Sequence, residues 1–178
     1  MVITLTLCAL SGCGSKNTNN NTDFIIEDLT PKYDKITQYN DTIRELTTNC
    51  INSQNDFWNI YTQEWQSINN VQSVIDNNLE ICQNALNQIQ TMGDREGDNS
   101  FNEWASELIK NHIDYYKKFS EYLPYSRIEN PTTKETQKIE SIVNELSNIE
   151  DRISESSDNL RNTQEEFATN HGYILQDE

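Results

Sequence analysis

From Lys32 to Met92 the chain contains neither glycine nor proline. These are the two residues that most readily interrupt a helix, through backbone freedom in one case and a missing N–H in the other. Their absence over so long a stretch leaves a helix free to run. The whole chain of 178 residues holds only 5 Gly and 3 Pro, too few for the turn-dense pattern of a β-sandwich or barrel. The length suits one domain. Thr30-Pro31 opens the stretch as a capping hydroxyl followed by proline at the first helical position.

Within it, apolar residues recur at helical spacing: Tyr33, Ile36, Tyr39, Ile43, Leu46, Cys50, Phe57 and Tyr61. A second register follows at Trp65, Ile68, Gln72, Ile75, Leu79, Cys82, Leu86 and Ile89, alternating three and four as on a coiled-coil seam. The two are joined by a four-residue step, 57 to 61 to 65, which unwinds a supercoil without breaking the helix. The spacing therefore predicts one helix over about 31–92, with a reversal near Gln66 to Asn70 as the alternative. Gly93 to Asp98 ends the segment. Ser100 with Glu103 reads as a capping box for a second helix over about 100–123, whose stripe is Phe101, Trp104, Leu108, His112, Tyr115, Phe119 and Tyr122. Thr132 with Glu135 reads as another, for a third helix over about 132–170 with Ile139, Ile142, Leu146, Ile149, Ile153, Ser156, Leu160, Thr163 and Phe167 on one face. Asn170-His171-Gly172 is a stop signal. The stripes are narrow, as expected of an elongated all-α antiparallel bundle or coiled coil of three long helices, or four if the first segment turns. Residues 30–172 are the expected bundle domain and 173–178 a short tail.

Four cysteines are present, at 8, 13, 50 and 82. On one straight helix Cys50 and Cys82 stand about 48 Å apart, so the single-helix reading makes them buried thiols. The hairpin alternative brings them level, where they could pair.

Met1 to Leu10, MVITLTLCAL, is a short apolar run of the kind found in the core of a secretory signal peptide, and too short to span a bilayer. Leu10-Ser11-Gly12-Cys13 follows and resembles the lipobox of bacterial lipoproteins. The resemblance implies cleavage after residue 12 and a diacylglyceryl group on Cys13. The basic stretch that ordinarily precedes such a run is missing, since the first Lys is Lys16. Residues 13–29 then read as a lipidated cysteine and a polar tether, because GSKNTNNNT offers nothing to bury against its ordering entropy. An excess of acidic residues, 29 against 13 basic, gives a net charge of −16. That excludes a basic footprint for nucleic acid and disfavours docking on anionic lipid by charge. With 24 Asn and 11 Gln, the composition looks like that of an AT-rich genome. A helical domain behind a lipobox is similar to the cell-wall-binding helical lipoproteins of the Bacillota. The similarity implies a role in the envelope, with wall polymer or an envelope protein as partner.

Chemistry-bearing motifs are scarce. Neither His112 nor His171 stands in a Glu-x-x-His pair, HExxH and GxSxG are lacking, and no glycine-rich phosphate loop occurs. Asp94, Glu96 and Asp98 lack the spacing of a calcium loop and read as a solvated turn. No cofactor, metal or catalytic residue is expected. The expected function is a non-enzymatic binding or spacing role at the cell surface. An exclusion or immunity lipoprotein of a phage or conjugative element is the alternative, and an enzyme a remote third. Aromatic residues gather in two groups, Phe57 to Trp65 and Phe101 to Tyr125. Folding the chain about residue 96 brings them to one end. Trp58 and Tyr116 fall off the apolar stripes, so they are expected at the surface there, with Tyr125 near Trp65, as a binding surface.

Overall fold

A computed structural model describes residues 30–63 and 67–172, with side chains from residue 35 onward. The lipobox, the tether, Trp65 and the tail lie outside the described residues. Four α-helices follow one another: α1 Thr30–Tyr61, α2 Ile68–Met92, α3 Phe101–Tyr122 and α4 Thr133–Asn170, with a 3₁₀ turn at Leu123–Tyr125 after α3. Among the described residues there is no strand. The fold is an all-α helical bundle running up, down, up, down.

The single helix over 31–92 does not form. α1 ends as Thr62 N–H bonds the Trp58 carbonyl at 3.1 Å and Gln63 N–H the Ile60 carbonyl at 3.1 Å. α2 starts on Ser67, whose side chain accepts from Asn70 N–H at 3.1 Å. The absence of helix breakers permitted a long helix but did not require one, and tertiary burial decided otherwise. Folded back, the stripes of α1 and α2 cover each other, and Cys50 and Cys82 form a disulfide with Cα atoms 4.9 Å apart. They are thus not the free thiols that one long helix would leave. One turn further along, Asn78 Nδ2 donates to the Ser53 carbonyl at 2.7 Å.

α3 is the central helix, and its burial explains why the bundle is broader than its stripes suggested. It runs antiparallel to α2 and α4 and alongside α1. Besides the expected stripe, Ala105, Ile109, Ile113 and Tyr116 are buried, because neighbours cover α3 on more than one side. α4 follows the expected boundaries. Its capping box is complete: Glu135 N–H donates to Thr132 Oγ1 at 3.3 Å and Thr132 N–H to Glu135 Oε2 at 2.8 Å. These bonds hold the Glu135 carboxyl below its usual range. α4 lies along α3 and reaches α1 near its own C-terminus, where Phe167 meets Tyr39 and Gln164 Nε2 donates to Asn40 Oδ1 at 2.9 Å.

The loop between α2 and α3 departs from expectation. Ser100 does not cap α3 with its side chain, since both Asn99 and Ser100 adopt positive φ, 45° and 73°. An N-cap needs extended backbone to aim its oxygen at the first turn. Asp98 does that work instead, accepting Asn102 N–H at 3.0 Å. Asp98 is 4% exposed and also accepts the Tyr39 hydroxyl, so this acidic loop is not simply a solvated turn. Burial and the neighbouring carboxylate push the Tyr39 hydroxyl upward. Asn102 Nδ2 ties the loop down, donating to the carbonyls of Ile89 at 3.0 Å and Gly93 at 3.2 Å. From α4, His171 Nε2 meets the Glu96 carbonyl at 2.8 Å. The His171 ring sits so close to Gly97 that an added Cβ there would meet it at 3.0 Å. Gly97 is therefore needed for both its φ of 78° and its lack of a side chain.

Candidate functional site

Two places in the bundle gather side chains capable of recognition. The first is the end where α1 turns into α2. There the two aromatic groups do meet. Phe57, fully buried, is surrounded by Trp58 at 5.2 Å, Tyr61 at 5.8 Å, Tyr116 at 6.0 Å and Phe119 at 4.8 Å between ring centroids. Most of these pairs are edge-to-face, the arrangement that aromatic quadrupoles favour. Tyr122 continues the cluster at 5.4 Å from Phe119.

The expected binding residues fare differently. Tyr116 is not exposed: its relative accessibility is 0%. It occupies the face of α3 turned toward the α1–α2 hairpin, a face the one-stripe reading of α3 left to solvent. Its hydroxyl lies 3.1 Å from Ser53 Oγ and accepts from Asn78 Nδ2 at 3.2 Å, so the polar tip is satisfied inside the bundle. Burial pushes its pKa up to about 12. Trp58 is half-buried, its edge against Phe119 at 5.6 Å and Tyr61 at 5.5 Å. Tyr125, in the 3₁₀ turn, is half-buried and packs on the core. The partly open rim of this end consists of Trp58, Tyr61, Tyr122 and Tyr125.

The second place was not anticipated. Between α3 and α4 lies a cleft of about 300 Å³ whose wall includes Trp104 and whose rim carries Glu103, Glu107, Glu155 and Arg152. Its floor is polar: Asn111 and Ser156 are 2% and 1% exposed. Asn111 Nδ2 donates to the Arg152 carbonyl and to Ser156 Oγ, both at 3.3 Å. Among the described residues Asn111 Oδ1, itself fully buried, has no hydrogen-bond partner. An orphaned buried carbonyl costs about 1–3 kcal/mol. The one hint in the sequence was Ser156, a polar residue on the otherwise apolar stripe of α4. Asn111 lies off the stripe read for α3 and gave no signal.

The histidines do not build a metal centre. His112 is 2% exposed, and desolvation alone lowers its pKa to about 4. His171 is engaged with the Glu96 carbonyl and lies edge-on to Phe167 at 4.5 Å. Among the described residues no group of three or more His, Cys, Asp or Glu could hold a metal ion, and no helix is long and apolar enough to cross a membrane. Lys118 joins α3 to α4 through Glu145 at 2.8 Å. Such surface pairs contribute little to stability. No protein-family model, curated protein or solved structure matches the chain.

Proposed function

We propose that this chain is a lipid-anchored protein of the bacterial envelope, in which a non-enzymatic helical bundle serves as a binding or spacing module. The observation that carries the reading is the Cys50–Cys82 disulfide buried between α1 and α2. Such bonds persist outside the cytosol, where thiols are not kept reduced. This agrees with an export signal ending at Leu10-Ser11-Gly12-Cys13, a feature independent of the fold. Two or more acyl chains on Cys13 would make the attachment stable, where one would be marginal.

The bundle's polarity gives the anchor a consequence. α1 passes the Gly93–Asp98 loop at Tyr39 and ends beside the aromatic cluster at Tyr61. The 22 residues from Tyr39 to Tyr61, at 1.5 Å each, separate the two ends by about 33 Å. A tether from Cys13 would hold the loop end toward the membrane and offer the rim of Trp58, Tyr61, Tyr122 and Tyr125 outward. There it would meet wall polymer or another envelope protein. Aromatic rings with one free face suit either, through stacking on sugars or as interface anchors. Metabolic labelling with a palmitate analogue tests the anchor, using the protein expressed behind a basic signal region. The parent should be labelled and sediment with membranes. Cys13→Ser should lose both properties, and equal labelling of the two would overturn the proposal.

A further inference from the structure

We infer that the Cys50–Cys82 bond is a gated redox site, closed to thiol reductants in the folded bundle and opened when the α1–α2 hairpin parts from α3. The inference is independent of how the protein is anchored. It starts from the position of the sulfurs. Both cysteines are at 0% exposure, and so are Ile43 and Phe57 on the same stripe of α1 and Ile75 and Ile89 on that of α2. α3 covers this face of the hairpin. Its Tyr116 meets Ser53 and Asn78, one turn from the bond on α1 and on α2. Ile109 and Ile113 precede Tyr116 on the same face of α3 and are buried with it. Exchange needs a thiolate to touch one of the two sulfurs, and the packing leaves it no surface to touch.

The seam between hairpin and α3 is the gate. The hairpin is held to itself by the disulfide and by the bond from Asn78 to the Ser53 carbonyl. Across the seam it is held by Phe57 among the rings of Tyr116 and Phe119, by the Tyr116 hydroxyl between Ser53 and Asn78, and by Ser120, which donates to Gln72 Oε1 at 2.9 Å. At the other end, Tyr39 and Asn40 fasten α1 to Phe167, Gln164 and Asp98. That end can act as the hinge while the aromatic end swings out, and α3 and α4 stay packed on each other. Such sub-global openings separate cooperative units of a fold. A dithiol then completes the reaction in two exchanges. Its first thiolate bonds to one cysteine sulfur, and the other cysteine leaves as a thiolate. Its second thiolate attacks the mixed disulfide, frees the first cysteine and closes the reductant's own disulfide. Two electrons pass to the protein, and the cysteine thiolates take up protons from water. The bond does not re-form until an oxidant restores it, so the redox state records that the hairpin has been displaced.

The rate of reduction by dithiothreitol tests this, read by acid quenching, alkylation and mass measurement of the released thiols. The folded protein should react at least about a thousandfold more slowly than the same protein in concentrated urea, because only the open fraction reacts. Tyr116→Phe keeps the ring and removes the hydroxyl from the seam, and should speed reduction of the folded protein about fivefold, as for loss of one net hydrogen bond. Ile142→Val, at a 0% exposed position of α4, is a truncation of comparable cost. It should lower the urea midpoint and leave the reduction rate within about twofold of the parent, since α4 does not move when the hairpin swings. Three results would each overturn the inference. Reduction of the folded protein within about tenfold of the rate in urea would mean that the sulfurs are open without any motion. Equal acceleration by Ile142→Val and Tyr116→Phe would place access in global unfolding. An unchanged rate for Tyr116→Phe would take the gate away from this seam.

Discussion

Reducing the bond between Cys50 and Cys82 should remove a sizeable share of the stability of the bundle. The disulfide closes a loop with a sequence separation of 32 residues. In the chain-entropy treatment, a loop of that size restricts the unfolded chain by about 3.7 kcal/mol at 25 °C. Both sulfurs sit at 0% exposure between α1 and α2, so a reduced pair keeps most of its apolar contacts. The loss therefore falls mainly on the unfolded state. Native strain and residual structure commonly trim such figures, which gives an expected loss of about 2–4 kcal/mol. For a domain of roughly 140 residues that is a fall in Tm of about 10 °C. Urea unfolding followed by far-ultraviolet circular dichroism, with and without a phosphine reductant, measures it. The midpoint should fall and the slope m should rise, since the unlinked chain exposes more surface. Cys50→Ala with Cys82→Ala should match the reduced protein or fall slightly below it. Coincident curves for oxidised and reduced protein would refute the reasoning, because the α1–α2 hairpin would then owe nothing to its cross-link.

Tyr116→Ala should cost about 3–5 kcal/mol as a core truncation. Tyr116→Phe should cost only about 1 kcal/mol, since Asn78 keeps the Ser53 carbonyl and Ser53 keeps the Cys50 carbonyl. A urea midpoint for Tyr116→Ala within the scatter of surface substitutions would contradict the buried placement. Stability should also fall on acidification. The folded-state pKa of His112, about 4, lies below its ordinary 6.5. Between those values the unfolded chain takes up a proton that the folded chain excludes. Stability is then full above pH 6.5 and declines toward pH 4 by about 3 kcal/mol. His112→Leu should flatten that part of the profile. An unchanged slope in the variant would assign the acid sensitivity elsewhere.

Much of the architecture could be read before folding, and the exceptions share a cause. α4 was legible because its apolar alternation is long, its start carries Thr132 and Glu135 three apart, and it lies along chiefly one neighbour. The break between α1 and α2 was less so. Gly and Pro are absent there, and the four-residue step can continue a helix as readily as precede a turn. Ser67, the start signal actually used, is one polar residue among many. Tyr116 was misplaced because periodicity assigns one buried face per helix, whereas α3 is covered by α1, α2 and α4. Ser100 and Glu103 have the spacing of a capping box, but spacing does not report that Ser100 stands at positive φ. The cleft between α3 and α4 depends on which polar group lacks a partner. That is a property of three-dimensional neighbours, and neither Asn111 nor Glu155 announces it along the chain.

Because the bundle has four helices in alternating directions, the N-terminal part of α1 and the end of α4 lie at the same end, where Tyr39 and His171 both touch the Gly93–Asp98 loop. A pull between those two points would therefore unzip the helices from the bundle one turn at a time, the direction in which such an assembly resists force least. The cross-link changes how far that peeling can run. Once α1 has opened as far as Cys50, tension passes across the sulfur bridge to Cys82, and the chain between them, a sequence separation of 32, is shielded from load. At about 3.4 Å per residue, roughly 110 Å of contour length stays out of reach of extension. The aromatic end, which lies inside that loop and against α3, is thus the part of the molecule that a stretched tether would disturb last.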